Sequence, residues 1–154
     1  MPPRRKRNIR SRSRSAARLA AVQALYQQEM EKTPLPALLH EFHHHRLGAT
    51  IEGVEYADAE VDFFDDVVAG VDARRDELDG LIASRLPEDW PLHRLDRPLR
   101  QILRAGTYEL AARIDVATGS IISEYVDVAK AFYARKEAGF VNAVLDAVGK
   151  DLRG

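Results

Sequence analysis

From Ala59 to Leu86 the apolar residues Val61, Phe64, Val68, Val71, Leu78 and Ile82 return at steps of three, four and seven. An α-helix brings side chains at that interval back to one face, and a strand does not. The same spacing recurs along the chain. Ala16–Met30 (AARLAAVQALYQQEM) places Val22, Tyr26 and Met30 in one i, i+4 row with Leu25 beside it. Leu35–Leu47 reads as a shorter helix. Leu99–Ile114 carries a stripe of Leu99, Ile102, Leu103, Gly106, Leu110 and Ile114, with Pro98 suited to its first turn. Ile121–Ala134 and Phe140–Leu152 complete the series. Alternation at period two appears nowhere over a useful length, so the chain is predicted to be all-α.

The breaks divide the helices into groups. Gly48–Tyr56 reads as a polar linker, and Pro87–Pro91 interrupts the helical pattern between an N-terminal half, to about residue 86, and a C-terminal half, from about residue 92. Asp79-Gly80 lies inside a continuing period and is expected to be tolerated within a helix. Thr118-Gly119-Ser120 offers a stop and a new N-cap. At 154 residues the chain has room for one compact domain or two small helical subdomains. Cysteine is absent, which removes disulfides, thiolate metal sites and cysteine nucleophiles and fits a reducing cytosol. No run of about 18 apolar residues is present to span a membrane.

A formal net charge of −1 conceals a strong asymmetry. Arg4, Arg5, Lys6, Arg7, Arg10, Arg12, Arg14 and Arg18 crowd the first 18 residues without one acidic partner. With eight of the 23 basic residues there, 15 remain against 24 acidic ones, so the rest of the chain carries a formal −9. A basic arm on an acidic body suggests nucleic-acid binding. Residues 1–13 are therefore expected to form a disordered Arg-rich arm and 14–154 the helical domain. A secretory signal does not fit, since Arg18 and Gln23 break the only apolar candidate. A mitochondrial transit peptide shares the Arg- and Ser-rich composition, and a merely solvated tail is the bland alternative.

Three segments carry a family resemblance: LRAGTYEL (Leu103–Leu110), ISEYVDVAKAF (Ile122–Phe132) and FVNAVLD (Phe140–Asp146), preceded by RSAARLAAVQALY (Arg14–Tyr26). In this order and spacing they resemble the NusB family of transcription antitermination factors. Ser123, Tyr133 and Ala143 depart from it, where the family usually has Asn, Gly and Gly. The resemblance implies a compact bundle of about seven helices in two helical subdomains. It also implies binding of boxA-type single-stranded RNA from ribosomal RNA operons, a heterodimer with the ribosomal protein NusE, and a place in the RNA polymerase antitermination complex. Whether the free protein forms a homodimer is left open by the sequence.

On that resemblance the RNA-binding candidates are Arg14 and Arg18, with Arg4, Arg5, Lys6, Arg7, Arg10 and Arg12 extending them upstream. Arginine binds phosphate bidentately and also stacks. Tyr26, Phe132 and Phe140 are the stacking candidates, each with burial in the core as its alternative. Gln23 and Asn142 could read base edges, and Arg135 with Lys136 forms a second basic patch in an expected loop, 135–139. No catalytic constellation, cofactor motif or resident metal is expected. His40-Glu41-Phe42-His43-His44 does match H-E-x-x-H, yet no third ligand is recognisable. It is expected to be a helix face with Leu38, Leu39 and Phe42 inward.

Two rivals keep the helices and change the task. One is the NusB-like domain of a ribosomal RNA cytosine methyltransferase, which would continue into an α/β domain. The other is a helical protein-interaction module with an incidental basic tail. The arm supplies a quantitative test: with about five phosphates neutralised, log affinity for single-stranded RNA falls against log salt with a slope near −3.5. A salt-independent affinity in filter-binding titrations removes the basic-arm reading.

Overall fold

The computed structural model describes the backbone of residues 2–45, 47, 50–51, 54–55 and 60–154, and the side chains of residues 13–44, 47 and 60–154. Among these, six α-helices are present: α1 (Pro2–Glu31), α2 (Leu35–His45), α3 (Val61–Ala83), α4 (Arg97–Ala112), α5 (Thr118–Phe132) and α6 (Arg135–Arg153). A 3-10 turn, Leu92–Arg94, precedes α4. The all-α expectation holds, and the helix number approaches seven once α3 is taken as two pieces, because Arg74 (φ −115°, ψ 21°) is not helical. A minimal hairpin lies in the expected linker: β1 (Thr50–Ile51) pairs antiparallel with β2 (Val54–Glu55), Thr50 facing Glu55. Two residues per strand are too few for alternation to register.

Several boundaries move. α1 begins at Pro2, so helical backbone runs through the basic segment; proline is suited to the start of a helix and arginine is a good helix former. α4 ends at Ala112, and Ile114, placed by periodicity on its buried stripe, lies beyond the end and is 84% exposed. α6 starts at Arg135 and not at Phe140, because Arg135, Lys136, Glu137 and Ala138 are themselves helix formers. The expected 135–139 loop is thus the first turn of a helix, and Tyr133 and Ala134 alone join α5 to it. Tyr133 is extended (φ −137°, ψ 171°), a conformation that needs no glycine, and its hydroxyl accepts the Leu99 N–H at 3.2 Å.

The chain forms two compact units that divide between Ala69 and Gly70, inside α3. In the first, α1 buries Ala17, Ala20, Ala21, Val22, Ala24 and Leu25. Tyr26 and Met30, expected on the same buried row, are exposed. Phe42 of α2 stacks on Phe64 of α3 with ring centroids 5.5 Å apart. The Glu60 N–H donates to the Ser13 carbonyl at 3.1 Å, and Gln27 donates to Glu41 at 2.7 Å, tying α1 to the start of α3 and to α2.

The second unit is built around α4, in which every residue from Gln101 to Leu110 is buried. A helix enclosed on all sides must pair its polar side chains internally. Arg104 does so with a two-pronged bond to Asp79 (2.7 and 2.8 Å), and the Glu109 carboxylate accepts the Tyr125 hydroxyl at 2.5 Å. α6 approaches where α4 has Gly106: a Cβ there would lie 2.8 Å from the Leu145 side chain. On α3, a Cβ at Gly70 would run into the Tyr108 ring. Arg85, just past α3, forms a two-pronged ion pair with Asp151 of α6, and its hydrogen bonds hold that carboxyl below the usual carboxylate range.

The C-terminal end of α4 is closed from a distance. The last carbonyls of any helix lack intrahelical donors. Here the Arg153 guanidinium donates to the carbonyls of Leu110 (2.9 Å), Glu109 (3.3 Å) and Arg113 (2.9 Å). It also reaches the Val116 carbonyl at 2.7 Å and the Thr118 hydroxyl at 3.2 Å. A cation at this end also opposes the negative pole of the helix. Arg153→Ala is expected to lower the unfolding free energy by about 2 kcal/mol or more, the scale of losing bonds to a charged donor. Urea denaturation checks it; an unchanged midpoint means water serves these carbonyls equally well.

Candidate nucleic-acid interface

The sequence candidates with described side chains fall into two clusters, one in each unit. In the first unit, Arg14 and Arg18 stand one turn apart on α1, and both guanidiniums lie over the Phe63 ring, 4.7 and 4.8 Å from its centroid. Arg14 is also held by Glu60 at 3.1 Å. Arg18 is only 3% exposed, so its charge sits beneath the surface, whereas Arg14 is partly open. Two like charges on one ring are tolerated because the ring face attracts cations and Glu60 offsets one of them. Phe63 escaped the sequence reading: it is not among the periodic apolar residues of α3, and pattern alone does not show which cations cover a ring.

Farther along α1, Gln23 is half-buried and Tyr26 is 37% exposed, so the phenol ring is accessible from solvent. The side chains of Arg4, Arg5, Lys6, Arg7, Arg10 and Arg12 lie outside the described residues. The described part of the α1 surface therefore offers one partly exposed, ion-paired cation, one buried cation and an exposed aromatic within four helical turns.

The second cluster forms where α5 meets α6. Phe132 is exposed at the end of α5, and its ring lies 6.4 Å from that of Tyr133. Arg135 and Lys136 are exposed on the first turn of α6, whose N-cap position, Ala134, gives no side-chain cap. Two cations thus stand at this helix start, with Glu137 in the same turn. Asn142 is exposed on α6, and Phe140 is half-buried. Phe140 meets Trp90 edge to face at 5.4 Å. Trp90, the one tryptophan of the chain, lies in the proline-flanked turn after α3 and is 44% exposed. The turn marked a boundary in the sequence, but nothing local paired this ring with a residue 50 positions away.

Trp90 and Phe140 wall a cleft of about 510 Å³ shared with Arg94, Asp96, Tyr133 and Lys136. The H-E-x-x-H stretch contributes to neither cluster. Leu38 and Phe42 are buried, Leu39 is half-buried, and His40, His43 and His44 are exposed. Glu41, the base such a motif would need, accepts from Gln27, and His43 pairs with Asp65 at 2.5 Å. Among the described residues no group of three His, Asp or Glu side chains converges to hold a metal. Among them, too, no helix is long and apolar enough to cross a membrane.

The burial contrast on α1 can be measured. Arg18→Ala is expected to lower stability by about 1–3 kcal/mol, through the lost ring contact and the buried groups left unpaired. Arg14→Ala is expected to cost under about 1 kcal/mol, as for a partly exposed ion pair. Equal shifts in urea midpoint for the two variants contradict this assignment.

Comparison with known proteins agrees with the fold. The chain matches the NusB family model over residues 15–150. The transcription antitermination protein NusB of Sphingopyxis alaskensis is 65% identical over 146 residues, which cover 95% of this chain and 98% of that protein. Its counterpart in Novosphingobium aromaticivorans is 67% identical over 145 residues, covering 94% and 98%. Among solved structures, NusB of T. maritima aligns with a TM-score of 0.75 at 28% identity, over 92% of this chain and 93% of that one. A structure of NusB and NusE in complex with double-stranded RNA shares the fold at 24% identity and a TM-score of 0.73, over 91% and 98%. The match spans both compact units and nearly the whole length of these relatives: this chain belongs to the NusB family.

Proposed function

We propose that this protein is a cytoplasmic, RNA-binding transcription antitermination factor that takes up boxA-type RNA of ribosomal RNA operons together with NusE and helps RNA polymerase resist termination. The observation that carries this reading is identity of 65–67% over 94–95% of the chain with proteins named for antitermination. The surface chemistry supports it. Single-stranded RNA is held by cations on phosphates and by rings that receive unstacked bases. Arg14 offers a partly exposed guanidinium held in place by Phe63 and Glu60, so little side-chain entropy is lost when a phosphate binds. Arg18 adds charge from beneath and braces the same ring. Arg4, Arg5, Lys6, Arg7, Arg10 and Arg12 add six further cations to the same N-terminal segment of the sequence. Tyr26, Phe132 and Phe140 provide stacking surfaces, Arg135 and Lys136 a second phosphate contact, and Gln23 and Asn142 amides for base edges.

The test is binding of boxA-type RNA by the full chain with purified NusE, against an RNA of the same composition and scrambled order. Preference for boxA-type RNA that strengthens with NusE is expected; equal affinity for both defeats the antitermination reading. Arg14→Ala is expected to weaken both RNAs alike and to reduce the salt slope by about 0.7, the value of one single-strand phosphate contact.

A further inference from the structure

The cleft between Trp90 and Phe140 has a lining that an RNA backbone alone does not explain. It carries two cations, Arg94 and Lys136, and three carboxylates, Asp89, Asp96 and Glu137. Three carboxylates beside two cations do not make a pocket for phosphate alone. Its apolar wall is aromatic: the exposed Trp90 ring stands edge to face with Phe140, at 5.4 Å, which leaves indole surface open to a third ring. Tyr133 also lines the cleft, held there by its hydroxyl, which accepts the Leu99 N–H. The volume, about 510 Å³, accommodates a nucleobase with its ribose.

We infer that this cleft is a base-recognition pocket that receives one unstacked guanine of the bound RNA, with Trp90 as its stacking platform. The inference rests on the RNA-binding reading above and deepens it by assigning a base and a residue. Guanine is favoured because its Watson–Crick edge presents adjacent ring N–H and amino donors, which match a carboxylate acceptor in pairs. Arg94 and Lys136 then hold the flanking phosphates, and the cleft reads sequence where α1 reads charge. Uracil, with two carbonyl oxygens on its edge, meets these carboxylates unfavourably.

Because Trp90 is the single tryptophan, its emission reports on the cleft directly. The experiment titrates the full chain, with and without NusE, with end-labelled boxA-type RNA, recording label anisotropy and indole fluorescence together. Indole quenching is expected at the midpoint given by anisotropy. Trp90→Ala is expected to weaken binding about 5- to 150-fold, the range for one stacked base, while Trp90→Phe retains most of the affinity. Replacing one guanine by inosine, which lacks the amino donor, reproduces part of that loss in the parent protein and none of it in Trp90→Ala. Thermal melts of both variants separate lost folding from lost contact. RNA binding by anisotropy with unchanged indole emission overturns the pocket and leaves the antitermination reading standing. Quenching by NusE alone, with no further change on adding RNA, assigns the cleft to protein docking instead. Absence of any RNA binding removes both readings.

Discussion

Enclosing α4 sets the terms for the whole second unit. A helix with Gln101–Leu110 buried cannot leave polar groups to water, and Arg104 and Glu109 would each cost several kcal/mol if stranded. Their partners come from different elements: Asp79 from α3 and Tyr125 from α5. The carbonyl end of α4 recruits Arg153 from α6. Each neighbouring helix is therefore held to α4 by a directional bond as well as by apolar packing. Burial alone would fix only which face of each helix points inward; the ion pair, the hydroxyl bond and the guanidinium cap also fix its axial position.

That constraint reaches the surface. With α5 and α6 located by Tyr125 and Arg153, their two-residue junction at Tyr133 and Ala134 has little freedom. Phe132, Lys136 and Phe140 thus project from a rigid corner, and Tyr133 anchors it further through the Leu99 amide. On α1 the rigid element is different: a phenylalanine ring braces two guanidiniums that would otherwise be flexible. Both clusters present side chains already ordered by folding, so a partner that docked there would lose less entropy.

The helices were legible in the sequence because their apolar residues keep a three-to-four period, and the segments Ile122–Phe132 and Phe140–Asp146 stood out as family motifs on α5 and α6. Legibility failed where a side chain answers to a distant partner. Ile114 fits the period of α4, but the helix stops two residues earlier at carbonyls that Arg153 satisfies. The start of α6 was misplaced because helix-forming residues between two apolar runs look like a polar loop. The kink at Arg74 has no breaker residue of its own; Gly70, one turn before it, is where the Tyr108 ring meets the helix. Phe63 and Trp90 are invisible for the same reason: their roles depend on what lies across from them, at separations of about 50 positions. The His-rich tract shows the converse, a local pattern with chemical meaning that three-dimensional placement spends on pairing with Gln27 and Asp65.

The reach of Arg153 has a kinetic corollary. Its bonds join positions 35 to 44 residues apart, among the longer loops the second unit must close. Pairing α4 with α5 takes shorter closures and is entropically cheaper. An ensemble in which those two helices have met while α6 is still undocked has frayed carbonyls at the end of α4 and an uncovered flank beside Gly106. Such a species sheds its last helical turn readily. The local stability of residues 109–113 therefore depends on α6 staying docked against the end of α4.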